Sequence, residues 1–323
     1  MSQVVFGATE LPKEQAETLR QAIFIQWLTI AFLAGAITLV GLVTGNSQAM
    51  KVAWAEDMLS LAPPIAFLIA VWVIRKPPTA KHPYGYHRSV GVAHLVTGVA
   101  LFTMGSFLIF DSAVGLFTAD HPSIGSVQIF GQVIWLGWLM MVTMVLTGVP
   151  PVLLGHVKIK LARELHDKVL YANAKMNKAD WMTALGSLVG VAGIGIGWWW
   201  ADSLAALFIS FSILADGITN IRSSILDLTD MRATTFDNKD SHPVIEEVEQ
   251  YLRGLDWVAE AGVRVRDEGH VFHVECFVVP RAGHEPSVTQ LDDARRGCTD
   301  LDWKLHDVVI IPVPELPVPI GQG

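Results

Sequence analysis

The chain has 323 residues, of which 51% are hydrophobic and 17% are charged, and its formal net charge is −8. Ordinary soluble domains contain about 25% charged residues, and the mean hydropathy here is +0.42, so the composition indicates a membrane protein. No basic patch with interleaved aromatic residues is present, so nucleic-acid binding is not expected. The two cysteines, Cys276 and Cys298, fall in a part that we expect in the cytoplasm, where a structural disulfide is not expected.

Long apolar segments separated by short polar ones predict a bundle of six transmembrane helices. The predicted spans are residues 21–44, 52–74, 90–117, 127–154, 175–199 and 204–226. Residues 1–20 are polar and lack a signal-peptide cleavage pattern, so we assign them to a cytoplasmic N-terminal segment. The six spans place the membrane domain at residues 21–230.

Basic residues are concentrated on one side of the predicted bundle. The proline-containing loop 75–88 is basic, and a second basic loop follows the fourth span. The basic residues of that second loop are Lys158, Lys160, Arg163 and Lys168. The turns with almost no Lys or Arg are 45–51, 119–125 and 200–203. By the positive-inside rule, both basic loops and both termini are cytoplasmic, and we expect an integral protein of the bacterial inner (plasma) membrane, with the lipid bilayer as a partner.

After Asp230 the composition changes to that of a soluble module. Its apolar pattern predicts the order helix, strand, strand, helix, strand. These elements are predicted at residues 243–255, 263–267, 271–279, 288–301 and 307–311. We therefore assign residues 231–312 to a small cytoplasmic α+β domain with the order αββαβ, and residues 313–323 to a loose, proline-rich tail.

Acidic residues inside two predicted spans are the candidate functional groups. Asp180 follows Asn173 and Asn177 at helical spacing, so these polar side chains share one edge of the fifth span. The second span contains Glu56 and Asp57. A charged group inside a bilayer costs about 2.5–3.5 kcal/mol on insertion scales and is usually retained for a function. The sequence therefore predicts a site that binds a cation or carries a proton.

Four short motifs occur in the order and spacing of one transporter family. They are Thr44-Gly-Asn-Ser, His82-Pro-Tyr-Gly-Tyr-His-Arg88, Ala201-Asp-Ser-Leu-Ala-Ala-Leu and Ser224-Ile-Leu-Asp-Leu-Thr-Asp230. With six spans and the C-terminal module, they make the chain resemble the cation diffusion facilitator family over residues 21–312. The resemblance implies that residues 231–312 form a metallochaperone-like dimerisation domain. It also implies a homodimer that exports a divalent metal cation from the cytoplasm by alternating access, usually by proton antiport.

The chain departs from the family pattern at the metal site. Members of the family carry His or Asp four residues before an Asp on the second and fifth spans, which stacks two ligands on one helix face. Here Met176 stands four residues before Asp180, and no acidic residue stands four residues after Glu56 or Asp57. Two interpretations stay open. Either Glu56 or Asp57 joins Asp180 in an unusual ligand shell, or the site has decayed.

The first interpretation adds further candidate metal ligands to the carboxylates. Asn177, Asn173, Ser60 or Met176 would complete the shell, and His82 in the cytoplasmic loop is a candidate peripheral ligand. Oxygen ligands favour a hard ion such as Mn²⁺ or Mg²⁺, whereas the Met thioether favours softer ions. The transported cation is therefore left open among Zn, Mn, Fe and Mg, and no bound cofactor is expected.

The rival interpretation is a transport-deficient membrane scaffold or partner subunit with the same fold. An intramembrane enzyme is not expected, because the chain contains neither His-Glu-x-x-His nor Gly-x-Ser-x-Gly. Under the transport interpretation, carboxylates that lie close together would repel one another once the cation leaves. Proton uptake by the empty site would relieve this repulsion, which gives a physical route to exchange.

Overall fold

The computed structural model describes residues 11–118, 123–129, 131–269 and 271–318. Within these residues the helices are α1 Lys13–Val43, α2 Gln48–Leu59, α3 Ala62–Ile74, α4 Ser89–Phe117, α5 Leu136–Leu165, α6 Lys168–Gly195, α7 Trp199–Leu228, α8 Val244–Arg253 and α9 Val288–Thr299. The strands are β1 Ser126–Ile129, β2 Gln132–Trp135, β3 Val258–Asp267, β4 Phe272–Pro280 and β5 Leu305–Pro312. Most of the predicted N-terminal segment that precedes α1, the start of the predicted turn 119–125 and the end of the tail lie outside the described residues.

Five helical stretches of the described chain are long and apolar enough to cross a membrane. They are Lys13–Val43, Gln48–Ile74, Ser89–Phe117, Leu136–Leu165 and Trp199–Leu228. Helix α6 is of similar length, at 28 residues, but carries more polar and charged side chains. It packs between α5 and α7. The structure therefore gives five candidate spans by length and composition, with α6 as an additional helix of the same bundle.

The second span is interrupted close to its acidic pair. Helix α2 ends at Leu59, and α3 begins at Ala62 and has Pro63 and Pro64 at its first positions. Because proline has no N–H group, these two residues cannot donate to the carbonyl groups one turn earlier, at Leu59 and Ser60. The break therefore lies only a few residues after Glu56 and Asp57.

The prediction for the fourth span was wrong at both ends. Its first residues form a β-hairpin of β1 and β2, with Gly131 in the turn at a φ of 81°, and this turn conformation suits glycine. Helix α5 then runs on to Leu165. The segment predicted as a basic loop is therefore largely the last two turns of α5, and Lys158 on it is fully buried.

Close backbone contact between α4 and α7 depends on glycine. A methyl group on Gly217 of α7 would lie 2.5 Å from the backbone nitrogen of Phe102, and one on Gly105 of α4 would lie 2.8 Å from that of Leu214. Real Cβ atoms do not approach backbone atoms this closely. Small residues of this kind let membrane helices associate tightly, and α4 packs along α7 as α5 packs along α6.

The C-terminal region forms a small α+β unit in the predicted order of elements. Its sheet has the strand order β3-β4-β5, in which β3 and β4 are antiparallel and β4 and β5 are parallel. Helix α9 makes the crossover between the parallel strands, and α8 packs against β3. Cys276 and Cys298 are buried in the core of this unit as free thiols.

Buried lysines join the C-terminal unit to one end of the helix bundle, which we call the domain-facing end. Lys304, which precedes β5, donates to the carbonyl oxygens of His166 and Gly269, both at 2.9 Å. Lys168 at the start of α6 pairs with Asp227 of α7 at 2.8 Å and with Asp267 of β3 at 3.5 Å. These contacts fix which end of α5, α6 and α7 lies closest to the C-terminal unit.

Candidate metal site

Three acidic side chains from two helices line one small cavity inside the bundle. Glu56 and Asp57 come from α2, and Asp180 comes from α6. The cavity has a volume of about 20 Å³, which is enough for one water molecule or a bare cation. Its other lining residues are Ala53, Met144, Thr147, Gly148, Pro151, Thr183 and Ala184. We call this space the carboxylate cavity.

The N-terminus of α2 is anchored by a buried carboxylate of α7. Asp202 accepts hydrogen bonds from Ser47 Oγ at 2.6 Å, from the backbone nitrogen of Gln48 at 2.5 Å and from that of Ala49 at 3.3 Å. The first backbone N–H groups of a helix have no partner within the helix, and a carboxylate there also interacts favourably with the helix dipole. Two motifs found in the sequence, 44–47 and 201–207, therefore meet here and set the position of α2.

The carboxylate cavity concentrates negative charge in an apolar surrounding. Asp180 and Glu56 interact electrostatically with each other, and both interact with Asp216 of α7. The Oε2 atom of Glu56 is buried and has no hydrogen-bond partner within the described part of the chain. A buried carboxylate oxygen without a donor is costly unless a cation or a proton accompanies it.

The three carboxylates are not closed around one point in this conformation. Within the described residues, no group of three His, Cys, Asp or Glu side chains is arranged closely enough to hold a metal ion. Like charges repel one another at short range, which favours separation of the three carboxylates. A cation that enters would attract the carboxylates towards one another.

Proline pairs lie next to the cavity on two helices. Pro63 and Pro64 follow the acidic pair on the second span, and Pro150 and Pro151 lie inside α5. Because Pro151 has no N–H group, it cannot donate to the carbonyl group of Thr147, a residue that lines the cavity. The second span is interrupted at its proline pair, as helices at ion sites of transporters often are, whereas α5 continues through its own pair. The repeated Pro-Pro pairs are a signal in the sequence that points to Thr147, which our prediction missed.

The predicted oxygen ligands Asn173 and Asn177 accept hydrogen bonds from Lys158, a residue of the predicted second basic loop. Lys158 Nζ donates to Asn173 Oδ1 at 2.8 Å and to Asn177 Oδ1 at 3.3 Å. Neither asparagine lines the carboxylate cavity. The signal for Lys158 is its spacing, because it continues the buried face of α5 that includes Pro151 and Gly155.

The other two predicted ligands are also absent from the lining of the cavity. The sulfur of Met176 accepts a long hydrogen bond from the side-chain amide of Asn220 at 3.8 Å, towards α7. His82 lies in the loop 75–88, where its ring stacks on Tyr86 with a centroid distance of 4.5 Å. Ser60 does not line the cavity either, so the structure brings together the three carboxylates among the eight candidate ligands, and Met144 is the sulfur-containing residue of the lining.

Comparison with known proteins gives one family for most of the chain. The sequence model of the cation efflux transmembrane domain matches residues 24–229. The chain is similar to the manganese efflux system protein MneS of Bacillus subtilis (strain 168), with 22% identity over 248 residues, which are 77% of this chain and 78% of that protein. The manganese efflux system protein MneP of the same organism is 22% identical over 254 residues, with 75% and 78% covered.

A third relative is named as a magnetosome protein and not as an efflux protein. The magnetosome protein MamB of Magnetospira sp. (strain QH-2) is 20% identical over 239 residues, which are 73% of this chain and 74% of that protein. The family model covers more than half of the chain, and its region contains both the acidic pair of α2 and Asp180 of α6. The chain therefore belongs to the cation efflux, or cation diffusion facilitator, family of integral membrane transporters that export metal cations and are not enzymes.

Proposed function

We propose that this protein exports Mn²⁺ from the cytoplasm across the bacterial inner membrane. The observation that carries the proposal is the carboxylate cavity, where Glu56, Asp57 and Asp180 present hard oxygen atoms. Such ligands favour Mn²⁺ or Mg²⁺ over softer ions. The thioether of Met176, which would favour a softer ion, faces Asn220 instead. The names of the relatives MneS and MneP support manganese over magnesium.

Export is proposed to occur by alternating access in exchange for protons. When Mn²⁺ leaves, the carboxylates of Glu56, Asp57 and Asp180 are left in an apolar cavity, where their mutual repulsion favours proton uptake. Glu56 Oε2 is the proposed proton acceptor, because it is buried and has no hydrogen-bond donor within the described chain. The break before Pro63 and the proline pair inside α5 lie near the proposed ion site, where the helices could change conformation.

Helix α6 is proposed as a sixth transmembrane span. At 1.5 Å per residue, its 28 residues extend about 42 Å, which exceeds the apolar thickness of a bilayer of about 30 Å. Its polar residues Asn173, Asn177 and Asp180 face the inside of the bundle or line its cavity. Six spans put both termini in the cytoplasm, with the C-terminal unit as the dimerisation domain of a homodimer.

Transport by the full chain in proteoliposomes tests the proposal. Vesicles that contain a Mn²⁺-sensitive dye and carry an imposed pH gradient should take up Mn²⁺ with wild-type protein. Asp180→Asn should slow uptake at least about tenfold, since even indirect ligand contacts change metal affinity by about 10–100-fold. The matched control is Asp111→Asn, because Asp111 lies on α4, is exposed and does not line the cavity. Equal rates for wild type and Asp180→Asn would contradict the proposal.

One observation favours a second candidate, a transport-deficient scaffold or partner subunit. Lys158 donates to the side-chain oxygens of Asn173 and Asn177, the two predicted amide ligands, and an internal cation can replace a metal ion in a polar network. A scaffold would give no Mn²⁺ uptake in the same vesicles, and its stability would be unaffected by Mn²⁺. A rise in melting temperature on addition of Mn²⁺, absent in Asp180→Asn, distinguishes the transporter.

A further inference from the structure

Lys158 is a buried basic residue whose nearest hydrogen-bond partners are neutral. Its side chain is fully buried, and its ammonium group donates to the side-chain oxygens of Asn173 and Asn177 at 2.8 and 3.3 Å. No carboxylate oxygen of the described residues lies within 4.0 Å of this ammonium group. A buried charge is usually paired with an opposite charge. A positive charge on Lys158 is therefore not cancelled by an adjacent carboxylate and would act on charged groups further away.

The closest of these groups belong to the carboxylate cavity. Asn177 is three residues before Asp180 on α6, a separation of about 5 Å along one face of the helix. On α5, Pro151 lines the cavity, and Lys158 follows it by two helical turns towards the domain-facing end. Asp180 and Lys158 interact electrostatically. The lysine thus stands beside the cavity, on the side of the C-terminal unit.

The charges around the cavity can be counted from the described side chains. With an ion bound, and with all three carboxylates and the Lys158 amine ionised, Glu56, Asp57 and Asp180 supply three negative charges and Lys158 supplies one positive charge. The nearby Asp216 does not line the cavity and is not part of this count. The surroundings therefore carry two negative charges, which one divalent cation neutralises. A net charge in a low-dielectric interior is costly, so other ionic charges are disfavoured.

We propose that Lys158 determines the charge of the ion that the cavity accepts. The ammonium group offsets the third carboxylate, so that a divalent cation gives a neutral site and a trivalent cation gives a positive one. This inference rests on the proposed function, in which the carboxylate cavity is the ion site. It assigns to Lys158 a part in specificity that requires no direct contact with the ion.

Competition between Mn²⁺ and La³⁺ for the purified full-length protein tests the proposal. Lys158→Gln keeps a polar, hydrogen-bonding side chain but removes the charge, and it should raise the affinity for La³⁺ relative to Mn²⁺ by about tenfold or more. Lys158→Arg keeps the charge and should leave the ratio near that of wild type. An unchanged ratio in Lys158→Gln would overturn the inference, even if both ions bind well.

Restoring the charge provides a test that a merely structural role of Lys158 would not pass. The double variant Lys158→Gln with Glu56→Gln loses one charge of each sign, so its La³⁺ to Mn²⁺ ratio should return towards that of wild type. If Lys158→Gln does not fold, Asn177→Asp keeps the lysine, adds a negative charge and should also raise the ratio. If neither the double variant nor Asn177→Asp shifts the La³⁺ to Mn²⁺ affinity ratio as expected, the proposal is refuted.

The same measurements separate this inference from the proposed function. If wild type binds neither ion and matches Asp180→Asn, the proposed function fails and the inference fails with it. If wild type binds Mn²⁺ and Asp180→Asn does not, the cavity is the ion site. In that case, the ratio in Lys158→Gln alone decides whether the lysine selects by charge.

Discussion

At the scale of single residues, the composition of the carboxylate cavity determines which ion it suits. Glu56, Asp57 and Asp180 offer carboxylate oxygen atoms, and Thr147 of α5 also lines the cavity. Hard cations prefer such oxygen ligands. The sulfur of Met176 makes its polar contact with Asn220 of α7. The site therefore differs from the His- and Asp-based pattern that the resemblance to the family implied.

Glu56→Gln and Met176→Leu make a pair of opposite predictions. Glu56→Gln removes a carboxylate oxygen from the cavity and should weaken Mn²⁺ binding at least about tenfold, because a proposed metal ligand is lost. Met176→Leu conserves volume and leaves the cavity lining intact, so Mn²⁺ affinity should not change. Isothermal titration of the purified protein measures both. A large loss of affinity in Met176→Leu would show that the thioether is a ligand after all.

The acidic residues of the site could be predicted from the sequence, but the basic residue beside them could not. Glu56, Asp57 and Asp180 are conspicuous because each interrupts an apolar span, where a charge is costly. Lys158 stands among Lys160 and Arg163, so its neighbours in the sequence suggested a solvated loop. Only the extension of α5 to Leu165 turns this residue inwards.

At the scale of elements, the position of α2 depends on a contact between distant parts of the chain. Asp202 at the start of α7 accepts three hydrogen bonds from the N-terminal residues of α2, Ser47 included. That helix carries Glu56 and Asp57 and ends at a break reinforced by Pro63. The helix segment that carries the acidic pair is thus fixed by the Asp202 cap at its N-terminus and ends at a helix break soon after the pair.

Asp202→Asn should lower both stability and ion binding. The amide removes the negative charge and turns an N–H donor towards other donors, which costs about 2 kcal/mol for hydrogen bonds to a charged group and a few degrees in Tm. Because α2 also carries Glu56, weaker Mn²⁺ binding should follow. Thermal unfolding in detergent is the measurement, with Asp111→Asn as the control. A Tm equal to that of wild type would contradict the capping role.

Element types were predictable where the apolar pattern was long and regular, and less so elsewhere. The prediction merged the hairpin of β1 and β2 with the following helix. The hairpin contains the apolar residues Val127, Val133 and Ile134, which raise the mean hydropathy of this segment as the apolar residues of a transmembrane helix do. Alternation over so few residues is hard to tell from a helix start. The break in the second span is indicated in the sequence by Pro63 and Pro64, because proline disrupts the hydrogen bonds of the helix turn that precedes it.

At the scale of the whole molecule, two histidines and a lysine join the C-terminal unit to the membrane helices. The rings of His166 and His242 pack with centroids 5.1 Å apart, and His242 also packs on Phe272. Burial, the neighbouring His166 and the Lys304 ammonium group together lower the pKa of His242 to about 4. Burial and Lys304 also lower the pKa of His166. Both rings are therefore neutral at pH 7 in the folded protein.

The depressed pKa values predict a loss of stability in acid. An unfolded histidine has a pKa of about 6.5, so the unfolded chain binds protons below this pH while His242 in the folded protein does not. The free energy of unfolding should therefore fall as the pH drops from about 6.5 to about 4. His242→Asn retains an acceptor for the Val244 N–H but no titrating ring. Melting curves across this range should depend less steeply on pH in this variant, and an identical slope would contradict the assignment.

The contact between the two parts of the chain could not be predicted from the sequence. Its groups come from positions as far apart as His166 and Lys304, and their hydrogen bonds go to backbone oxygen atoms. A backbone acceptor leaves no trace in the residue type. The order of elements in the C-terminal unit follows from local periodicity, but its docking on the helix bundle depends on the folded geometry of both parts.

The central claim is that a divalent cation binds between Glu56 and Asp57 of α2 and Asp180 of α6. Anomalous X-ray diffraction at the manganese absorption edge, from crystals of the full chain grown with Mn²⁺, tests it most directly. We expect an anomalous peak in the carboxylate cavity, within about 2.0–2.6 Å of carboxylate oxygen atoms from both helices. A peak found only at the domain-facing end or in the loop 75–88, with none in the cavity, would contradict the account.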